Sequence, residues 1–560
     1  MRPELKRSRR HARRQLPAAL RSANFAATTI VLGAWLLVES SVLAAPPTLN
    51  YFYPPGLQRG QTREITASGS FANWPAEVWI DRAGLSVACA ADKGKLTVTA
   101  ADDAEPGVYW LRVRDAEGAS SVKPLIVGTL PETDEKEPNN APNEPQKLAE
   151  STVVNGRLEK SGDVDGYAIS LAEGDVLVAS LVGNAILGSP MDAVLQICDA
   201  RGFILEQTDD SGGLDPRLTF TATKAGDYTV RTFAFPSTPN STVNFAGADT
   251  FVYRLSITKG PFVDHALPLA FARNAATEVR LSGWNLAGEQ ATQTVEAPTE
   301  DANAVRVFSP DADGFVDLPV IDGPVLVAAE DNSLEQPQTI APPIDVSGRL
   351  AAEQTHAFRF TATKGKKLRL KVLARTLLSP LDAVLLVFDS TGKMLQEIDD
   401  VARQRDPELV FTPPADGDYT VAVRDLHRRG GDRFVYRLSV SEVQPDFALS
   451  LAADSFVLKA GEPLEIAVTI DRRDGFSEPI EVSVDGLPDG VSAETATSES
   501  KGDSAKSVKL KLTSDKAGAT GPIRIVGRTG GDTPQQRVAE FDTTDPRWRL
   551  SDAWLTVTTK

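Results

Sequence analysis

Cysteine and histidine are scarce in this chain. Its 560 residues contain two cysteines, Cys89 and Cys198, and four histidines. Two cysteines so far apart do not build a disulfide scaffold, which needs several bridges close together in the sequence. We expect both to be buried as small apolar residues. Stability must then come from hydrophobic cores, and the few histidines leave little material for acid–base chemistry.

Negative charge outnumbers positive charge, with 76 Asp and Glu against 59 Lys and Arg. The formal net charge is −17, and it becomes −23 once the first 44 residues, which carry a net +6, are set aside. So acidic a chain repels phosphates, which argues against a nucleic-acid partner. It is suited to bind divalent cations. After residue 44 no apolar run is long enough to cross a bilayer as a helix.

The first 44 residues are typical of a signal peptide. A basic run precedes an apolar stretch at about 26–38, and Val42, Leu43 and Ala44 offer a cleavage site. We therefore predict export to an extracytoplasmic location: periplasmic, secreted or cell surface. The alternative is that the segment stays uncleaved and anchors the chain in the membrane. We expect contact with a membrane only in that case.

Two stretches about 190 residues apart repeat each other, so one domain was copied. Residues 189–195 (SPMDAVL) recur as 379–385 (SPLDAVL), and both copies close with FVYRLS, at 251–256 and 434–439.

The 37 Pro and 41 Gly are spread along the chain rather than clustered. Together with β-branched and aromatic alternation, as in residues 107–113, this predicts many short strands joined by turns.

Catalytic motifs are lacking. Beyond residue 44 the histidines are His265, His356 and His427, and none lies in a segment typical of serine or zinc proteases. Residues 210–213 (DSGG) mimic the nucleophile loop of trypsin-like proteases, but the second copy has VARQ at 401–404 in their place. The sequence therefore predicts a protein that is not an enzyme.

The repeated unit resembles the bacterial pre-peptidase C-terminal domain. The residues that carry this resemblance are 135–140 (EKEPNN), 162–167 (GDVDGY) and 226–228 (GDY). The resemblance implies a jelly-roll β-sandwich, a domain that trails secreted proteases and forms the collagen-binding module of bacterial collagenases. Segments near Pro55 and Pro268 resemble immunoglobulin-like domains of the IPT/TIG kind. The whole layout is similar to large secreted proteins of planctomycete-type bacteria.

We therefore predict an all-β chain, a multidomain string of immunoglobulin-like and jelly-roll β-sandwiches. The predicted bounds are 1–44 for the signal peptide, 45–128 for an IPT/TIG-like sandwich, 129–259 for the first repeat, 260–328 for a smaller immunoglobulin-like domain, 329–443 for the second repeat and 444–560 for a C-terminal immunoglobulin-like domain.

Oxygen-bearing side chains cluster at the start of the first repeat. Ca²⁺ prefers about six to eight oxygen ligands from carboxylates, amides and carbonyls. In the collagenase-type domains that this unit resembles, an acidic lead-in folds back onto an Asp-rich loop, and the two share calcium. The resemblance predicts a Ca²⁺ site, in the first repeat alone, at Glu135, Glu137, Asn139, Asn140, Asp163 and Asp165. The alternative is that the lead-in caps a turn and both aspartates are solvated loop carboxylates.

The second repeat lacks the two loop aspartates. Aligned on Pro145-Gln146 and Pro337-Gln338, its lead-in is residues 329–332 (AEDN) and its loop is residues 353–356 (EQTH). We expect no Ca²⁺ there.

These features together predict a noncatalytic secreted or cell-surface binding protein. Its expected partner is an extracellular polymer or protein, which means a glycan, a collagen-like chain or an envelope component, and not a nucleic acid. The alternative is an accessory component that targets or regulates a secreted protease or hydrolase.

Overall fold

The computed structural model describes residues 45–559, except 210–212, 240–243, 288–290, 300–301, 401–404, 532–533 and 545–548. Throughout these residues the regular structure is β-strand, with short 3-10 turns at Arg375–Leu377 and Asp503–Ala505. None of the described residues forms a helix long and apolar enough to span a membrane. The predicted all-β fold is confirmed. The predicted signal peptide and most of the trypsin-like motif lie outside the described residues.

The strands between residues 48 and 128 form two facing sheets. Their bounds are β1 (Thr48–Tyr53), β2 (Gly56–Gln58), β3 (Thr62–Ser70), β4 (Glu77–Ile80), β5 (Leu85–Cys89), β6 (Lys95–Ala100), β7 (Gly107–Asp115), β8 (Gly118–Ala119) and β9 (Lys123–Gly128). One sheet has the order β1-β3-β6-β5 and the other β2-β9-β7-β4, with β8 beside β7. Ile65, Leu96 and Leu125 come from both sheets and are fully buried in one core. We call this unit the first sandwich.

The first repeat follows as two five-stranded sheets. Its strands are β10 (Glu132–Asp134), β11 (Gln146–Lys147), β12 (Thr152–Arg157), β13 (Asp165–Leu171), β14 (Val176–Val182), β15 (Met191–Cys198), β16 (Ile204–Thr208), β17 (Arg217–Thr221), β18 (Gly226–Pro236) and β19 (Val252–Thr258). The sheet orders are β10-β12-β19-β14-β17 and β11-β13-β18-β15-β16. Side chains from both sheets, such as Leu177 and Leu195, share one buried core.

A smaller unit of two three-stranded sheets, the middle sandwich, separates the repeats. Its strands are β20 (Phe262–Leu267), β21 (Phe271–Ala272), β22 (Thr277–Trp284), β23 (Thr292–Val295), β24 (Ala304–Phe308) and β25 (Phe315–Ile321). The orders are β20-β22-β23 and β21-β25-β24. Asp264 on β20 joins three units, because it pairs with Arg217 of the first repeat and, at 3.1 Å, with Arg433 further along the chain.

The second repeat has the strand order of the first. Its strands are β26 (Val325–Val327), β27 (Gln338–Thr339), β28 (Ile344–Arg349), β29 (Thr355–Ala362), β30 (Leu368–Leu373), β31 (Ala383–Asp389), β32 (Met394–Ile398), β33 (Glu408–Phe411), β34 (Gly417–Asp425) and β35 (Val435–Glu442). The sheets β26-β28-β35-β30-β33 and β27-β29-β34-β31-β32 match those of the first repeat strand for strand. The duplicated sequence therefore folds as a duplicated structure.

Two of the repeated sequence motifs have a hydrogen-bonding role. The carboxylate of Asp215 accepts bonds from the N–H groups of residues 183–185, and that of Asp406 accepts from those of residues 374–376. The hydroxyls of Tyr228 and Tyr419 donate to the carbonyl four residues earlier, at 2.7 and 2.8 Å. Both motifs fix turns by satisfying backbone groups that the sheets leave unpaired.

The last unit is the C-terminal sandwich. Its strands are β36 (Asp446–Ser450), β37 (Ser455–Lys459), β38 (Leu464–Arg473), β39 (Ile480–Asp485), β40 (Val491–Ala493), β41 (Ala496–Ser498), β42 (Ser507–Ser514), β43 (Thr520–Thr529), β44 (Gln536–Val538), β45 (Phe541–Asp542), β46 (Arg549–Leu550) and β47 (Ala553–Thr558). The main sheets are β36-β38-β42-β40 and β37-β47-β43-β39-β41, with β44 beside β43, and β45 pairs β46. The exact domain bounds given above stay a prediction.

The cysteines are free thiols in different environments. Cys198 is buried on β15, as expected. Cys89 is only half-buried at the end of β5, where its thiol donates to the carbonyl of Ala76 at 3.0 Å. The expectation that both are fully buried is therefore wrong for Cys89, because an edge strand leaves one flank open.

The C-terminal sandwich packs directly on the first sandwich through Arg112. This side chain on β7 is fully buried, with its guanidinium 5.3 Å from the Trp79 ring and 5.7 Å from the Trp554 ring. It donates to the carbonyls of Asp454 at 2.9 Å and Asp552 at 3.3 Å. Valine and tryptophan side chains of β7 join the core of the C-terminal sandwich around it. The two ends of the described chain therefore meet.

We predict that Arg112→Ala separates these two sandwiches. Removing one partner of a buried charged network typically costs about 3–5 kcal/mol, because the remaining polar groups lose their compensation. In calorimetry the variant should show the C-terminal sandwich unfolding earlier, and in small-angle scattering a larger radius of gyration. Arg537→Ala is the control, since its ion pair with Asp446 is exposed and worth less than about 1 kcal/mol. Equal effects of the two variants would contradict this role.

Candidate metal centre

Short strands at both ends hold the lead-in of the first repeat, residues 135–140, against the Asp-rich loop that contains Asp163 and Asp165. β10 pairs in parallel with β12, and β11 pairs in parallel with β13. The Glu135 N–H donates to the Asn155 carbonyl at 3.0 Å, and the Lys136 N–H donates to Gln146 Oε1 at 2.8 Å. Asp165 is the first residue of β13. The segment after β10 and the loop before β13 therefore lie side by side.

Three carboxylates converge where these segments meet. One oxygen each from Glu135, Glu137 and Asp165 lies within 4.8 Å of the others. Asp165 is fully buried, Glu135 is half-buried and Glu137 is exposed. Asp163 is buried beside them but is not part of this group. Such a convergence of acidic oxygens, open to solvent on one side, can hold a hard divalent cation.

Four buried oxygens at this place have no hydrogen-bond partner among the described residues. They are the Oδ1 atoms of Asn139, Asn140, Asp163 and Asp165. The second carboxylate oxygens are satisfied: Asp163 Oδ2 accepts from the Glu159 N–H at 2.6 Å, and Asp165 Oδ2 accepts from the Tyr253 hydroxyl at 2.5 Å. Folded proteins rarely leave buried acceptors unsatisfied, and a bound ion is one way of satisfying them. The residues present therefore fit a cation of the calcium type.

The environment of the site disfavours ionisation of its carboxyl groups. Burial raises the pKa of Glu135 to about 7, and the nearby Glu137 carboxylate adds to the rise. Burial raises the pKa of Asp165 further, with repulsion from Glu135 as the second cause. The neighbouring guanidinium of Arg157 pairs with Glu159 at 3.1 Å and with Asp249 at 3.7 Å. A cation bound between the carboxylates would relieve this repulsion.

The second repeat satisfies most of the corresponding polar atoms with direct hydrogen bonds, although His356 Nε2 has no partner among the described residues. Asn332 Oδ1 accepts from the Ala357 N–H at 2.6 Å, and Gln354 Oε1 accepts from the Ala351 N–H at 2.8 Å. His356 stands where the first repeat has Asp165 and contacts the Tyr436 hydroxyl at 2.8 Å. Burial lowers the pKa of His356 to about 4, so this ring is neutral at pH 7.

The structure shifts the alignment of the two lead-ins by one residue. The Ala329 N–H donates to Gln338 Oε1 as that of Lys136 does to Gln146, and the Ala328 N–H donates to the Ser347 carbonyl as that of Glu135 does to Asn155. Asn332 therefore corresponds to Asn139, and Ala328 stands at the position of Glu135. Compared with the first repeat, the second lacks the carboxylate of Glu135 in its lead-in and both aspartates in its loop.

Sequence reasoning did not connect two buried tyrosines with the site. Tyr253 and Tyr167 are fully buried and their hydroxyls contact each other, while Tyr253 also donates to Asp165. A Cβ on Gly156 would lie 2.3 Å from the Tyr253 ring, so only glycine fits there. The closing FVYRLS segment, which keeps Tyr253 and its counterpart in both repeats, is the signal that could have pointed to Tyr253.

The family comparison finds a match within the second repeat. Residues 354–425 match the bacterial pre-peptidase C-terminal domain, which confirms the resemblance described above. The match begins at the loop of the second repeat and so excludes both lead-in segments. The chain matches no curated protein sequence.

Several solved structures are distantly similar. The pre-peptidase C-terminal domain of collagenase from Bacillus anthracis is 18% identical, over 20% of this chain and 100% of its own, with a TM-score of 0.16. PliG, a periplasmic inhibitor of g-type lysozyme from Aeromonas hydrophila, is 16% identical over 21% and 99%, with a TM-score of 0.15. The insect immune protein hemolin is 10% identical over 92% and 100%, with a TM-score of 0.24. At this distance the likenesses carry no functional information.

We predict that the metal-free first repeat loses stability as pH rises. A carboxyl whose pKa is higher in the folded state than its unfolded value of about 4 favours folding in its protonated form, so stability falls as pH rises from about 4 through the folded pKa. In chelator, the melting temperature should fall between pH 5 and pH 8. Asp165→Asn should reduce this fall and raise the melting temperature at pH 8, as measured by calorimetry.

Asp227→Asn provides the control for that experiment, because Asp227 is an exposed carboxylate on β18 of the same repeat. It should leave the pH profile unchanged. An Asp165→Asn protein that melts lower than the parent at pH 8, with the same pH dependence, would show that Asp165 is not under electrostatic strain.

Proposed function

We propose that this chain is a noncatalytic, extracytoplasmic binding protein whose first repeat is stabilised by Ca²⁺. The observation that carries the calcium part is the set of four buried, unpartnered oxygens beside a group of three converging carboxylates. The residues that would hold the ion are Glu135, Glu137, Asn139, Asn140, Asp163 and Asp165.

The donor set favours calcium over other metals. All six side chains offer oxygen, as carboxylate or amide, and Ca²⁺ takes about six to eight such ligands in flexible geometry. Zinc sites usually include cysteine or histidine, and Mg²⁺ demands a tighter octahedron with several waters. Two of the six ligands are neutral amides, which reduces the repulsion among the carboxylates when the ion is absent.

The ion would act on the junction between the first sandwich and the first repeat. Glu132 and Asp134, which immediately precede the site on β10, both pair with Arg63 of the first sandwich. Glu132 also pairs with the buried Arg254 at 2.6 Å. Burial, and then the Glu135 carboxylate, raise the pKa of the Tyr53 hydroxyl on β1, so the first sandwich lies within reach of the charge at the site. Calcium would therefore stabilise both the repeat and its docking.

Several features support the noncatalytic binding role. The described residues are β-sandwiches, and the second repeat matches a domain type that accompanies many different activities without supplying the chemistry. Export rests on the predicted signal peptide, and the partner remains an extracellular polymer or protein.

Calcium titration of the melting temperature tests the metal site. An ion that binds only the folded state stabilises it by about 2.7 kcal/mol at one hundred times its Kd. We expect Ca²⁺ to raise the melting temperature of the chain at pH 8, and Asp163→Ala with Asp165→Ala to abolish the rise. The matched pair in the second repeat, Gln354→Ala with His356→Ala, should keep it. A rise that survives the first double variant would place calcium elsewhere.

Cosedimentation tests the binding role. The purified chain should be retained by at least one of collagen fibrils, insoluble glycans or isolated cell envelopes, without releasing soluble products. Efficient hydrolysis of any of these would overturn the noncatalytic assignment. Stable crosslinking to an exported enzyme, without retention on any polymer, would favour the accessory role instead.

A further inference from the structure

A cavity lies between the first sandwich and the first repeat. Its volume is about 230 Å³. The walls come from β1, from the start of β9, from the segment between β14 and β15, and from the start of β19. None of the candidate calcium ligands lines it, so the cavity is separate from the metal centre.

Most of the cavity wall is apolar. Phe52, Pro124, Leu187 and Val252 contribute to it, and each of them is buried. Ser189 also lines the cavity, but its hydroxyl already donates to the Thr250 carbonyl at 3.2 Å. The wall therefore suits a ligand whose body is hydrocarbon or aromatic.

Lys123 adds one positive charge to this wall. It is the first residue of β9 and is half-buried. In the described part of the chain, its ammonium makes no hydrogen bond and no ion pair within 4.0 Å. Burial lowers the pKa of Lys123, and the Asp454 carboxylate opposes that shift. A partly desolvated ammonium that no carboxylate contacts directly is costly, and it gains from direct contact with an anion.

The Asp454 carboxylate, which acts on Lys123, makes its direct contacts with other groups. Asp454 accepts hydrogen bonds from the Ser121 hydroxyl and the Val122 N–H, both at 2.9 Å, and lies 3.6 Å from the Arg112 guanidinium. Asp454 therefore attracts Lys123 at a distance, but its direct contacts are to Arg112 and to groups of residues 121 and 122, and it forms no ion pair with the lysine within 4.0 Å.

We propose that this cavity binds a small amphiphilic carboxylate, with its apolar body against Phe52, Leu187 and Val252 and its carboxylate on the Lys123 ammonium. Pockets for drug-sized ligands are roughly 300–1,000 Å³, so this smaller cavity suits a medium-chain fatty acid or an aryl carboxylate. A single cation does not match a polyanion, and a neutral lipid would leave the ammonium uncompensated. The site shares no residue with the proposed calcium centre.

Calorimetric titration of the chain with sodium octanoate tests this proposal. Octanoate should bind with a stoichiometry of one, and 1-octanol, which has the same apolar body but no charge, should bind at least about tenfold more weakly. The comparison needs no variant, so it cannot fail through misfolding. Equal affinity for the two probes, or the absence of octanoate binding, would overturn the proposal.

Variants at Lys123 locate the binding site. Lys123→Met should weaken octanoate at least about tenfold and leave 1-octanol unchanged, whereas Lys123→Arg should stay within about threefold of the parent. Lys95→Met is the control, because Lys95 is on the first sandwich but is ion-paired with Glu64 at 3.0 Å. Full octanoate affinity in Lys123→Met would place the ligand elsewhere.

Chemical labelling gives a second readout of the same contact. Octanoate should slow acetylation of Lys123 by a water-soluble active ester, while 1-octanol should do so less and Lys95 should react at its usual rate with either. Mass spectrometry of tryptic peptides measures both rates in one sample. Unchanged labelling of Lys123 at saturating octanoate would contradict a direct contact.

Discussion

The buried guanidinium of Arg112 is the contact on which the arrangement of the modules depends. It is enclosed by two tryptophan rings and bonded to two backbone carbonyls of a sandwich more than three hundred residues away in sequence. A buried charge of this kind is tolerated only where several partners are fixed in place. Because the first and last sandwiches supply those partners together, the string of domains closes on itself. The same contact engages Asp454, which acts on Lys123 without forming an ion pair with it.

The two repeats show how one fold handles the same local problem in two ways. Both bring a lead-in segment against the first residues of a central strand, and both place a fully buried tyrosine beneath it. In the second repeat, amide and imidazole groups satisfy most of the buried polar atoms directly. In the first repeat, the carboxylates and amides include buried oxygens that have no hydrogen-bond partner among the described residues. Shared topology therefore does not imply shared chemistry, because a few substitutions at the loop change what the site can bind.

Much of the fold and part of the site could be predicted from the sequence. The repeated motifs encode local structure, such as the aspartate that bonds three consecutive N–H groups and the tyrosine that closes a turn, so the duplicated strand order follows from them. The oxygen-rich segments could also be identified by their composition. The docking of modules could not be predicted, since Arg112 and Asp264 sit in ordinary strands and find their partners only in three dimensions. The one-residue shift between the lead-ins was likewise hidden, because a residue inserted before a short strand leaves the flanking motifs unchanged.

The candidate metal centre and the Lys123 cavity adjoin the same interface, and this has a thermodynamic consequence. Both lie where β1 of the first sandwich meets the first repeat, the first beside Tyr53 and the second beside Phe52. A ligand that binds only the docked arrangement stabilises that arrangement by mass action. If two ligands share this requirement, each must raise the apparent affinity of the other by the same factor, without any contact between them. The coupling disappears if the two units are already fully docked in the free protein. The coupling free energy therefore measures how far the ion and the cavity ligand shift the equilibrium toward the docked arrangement.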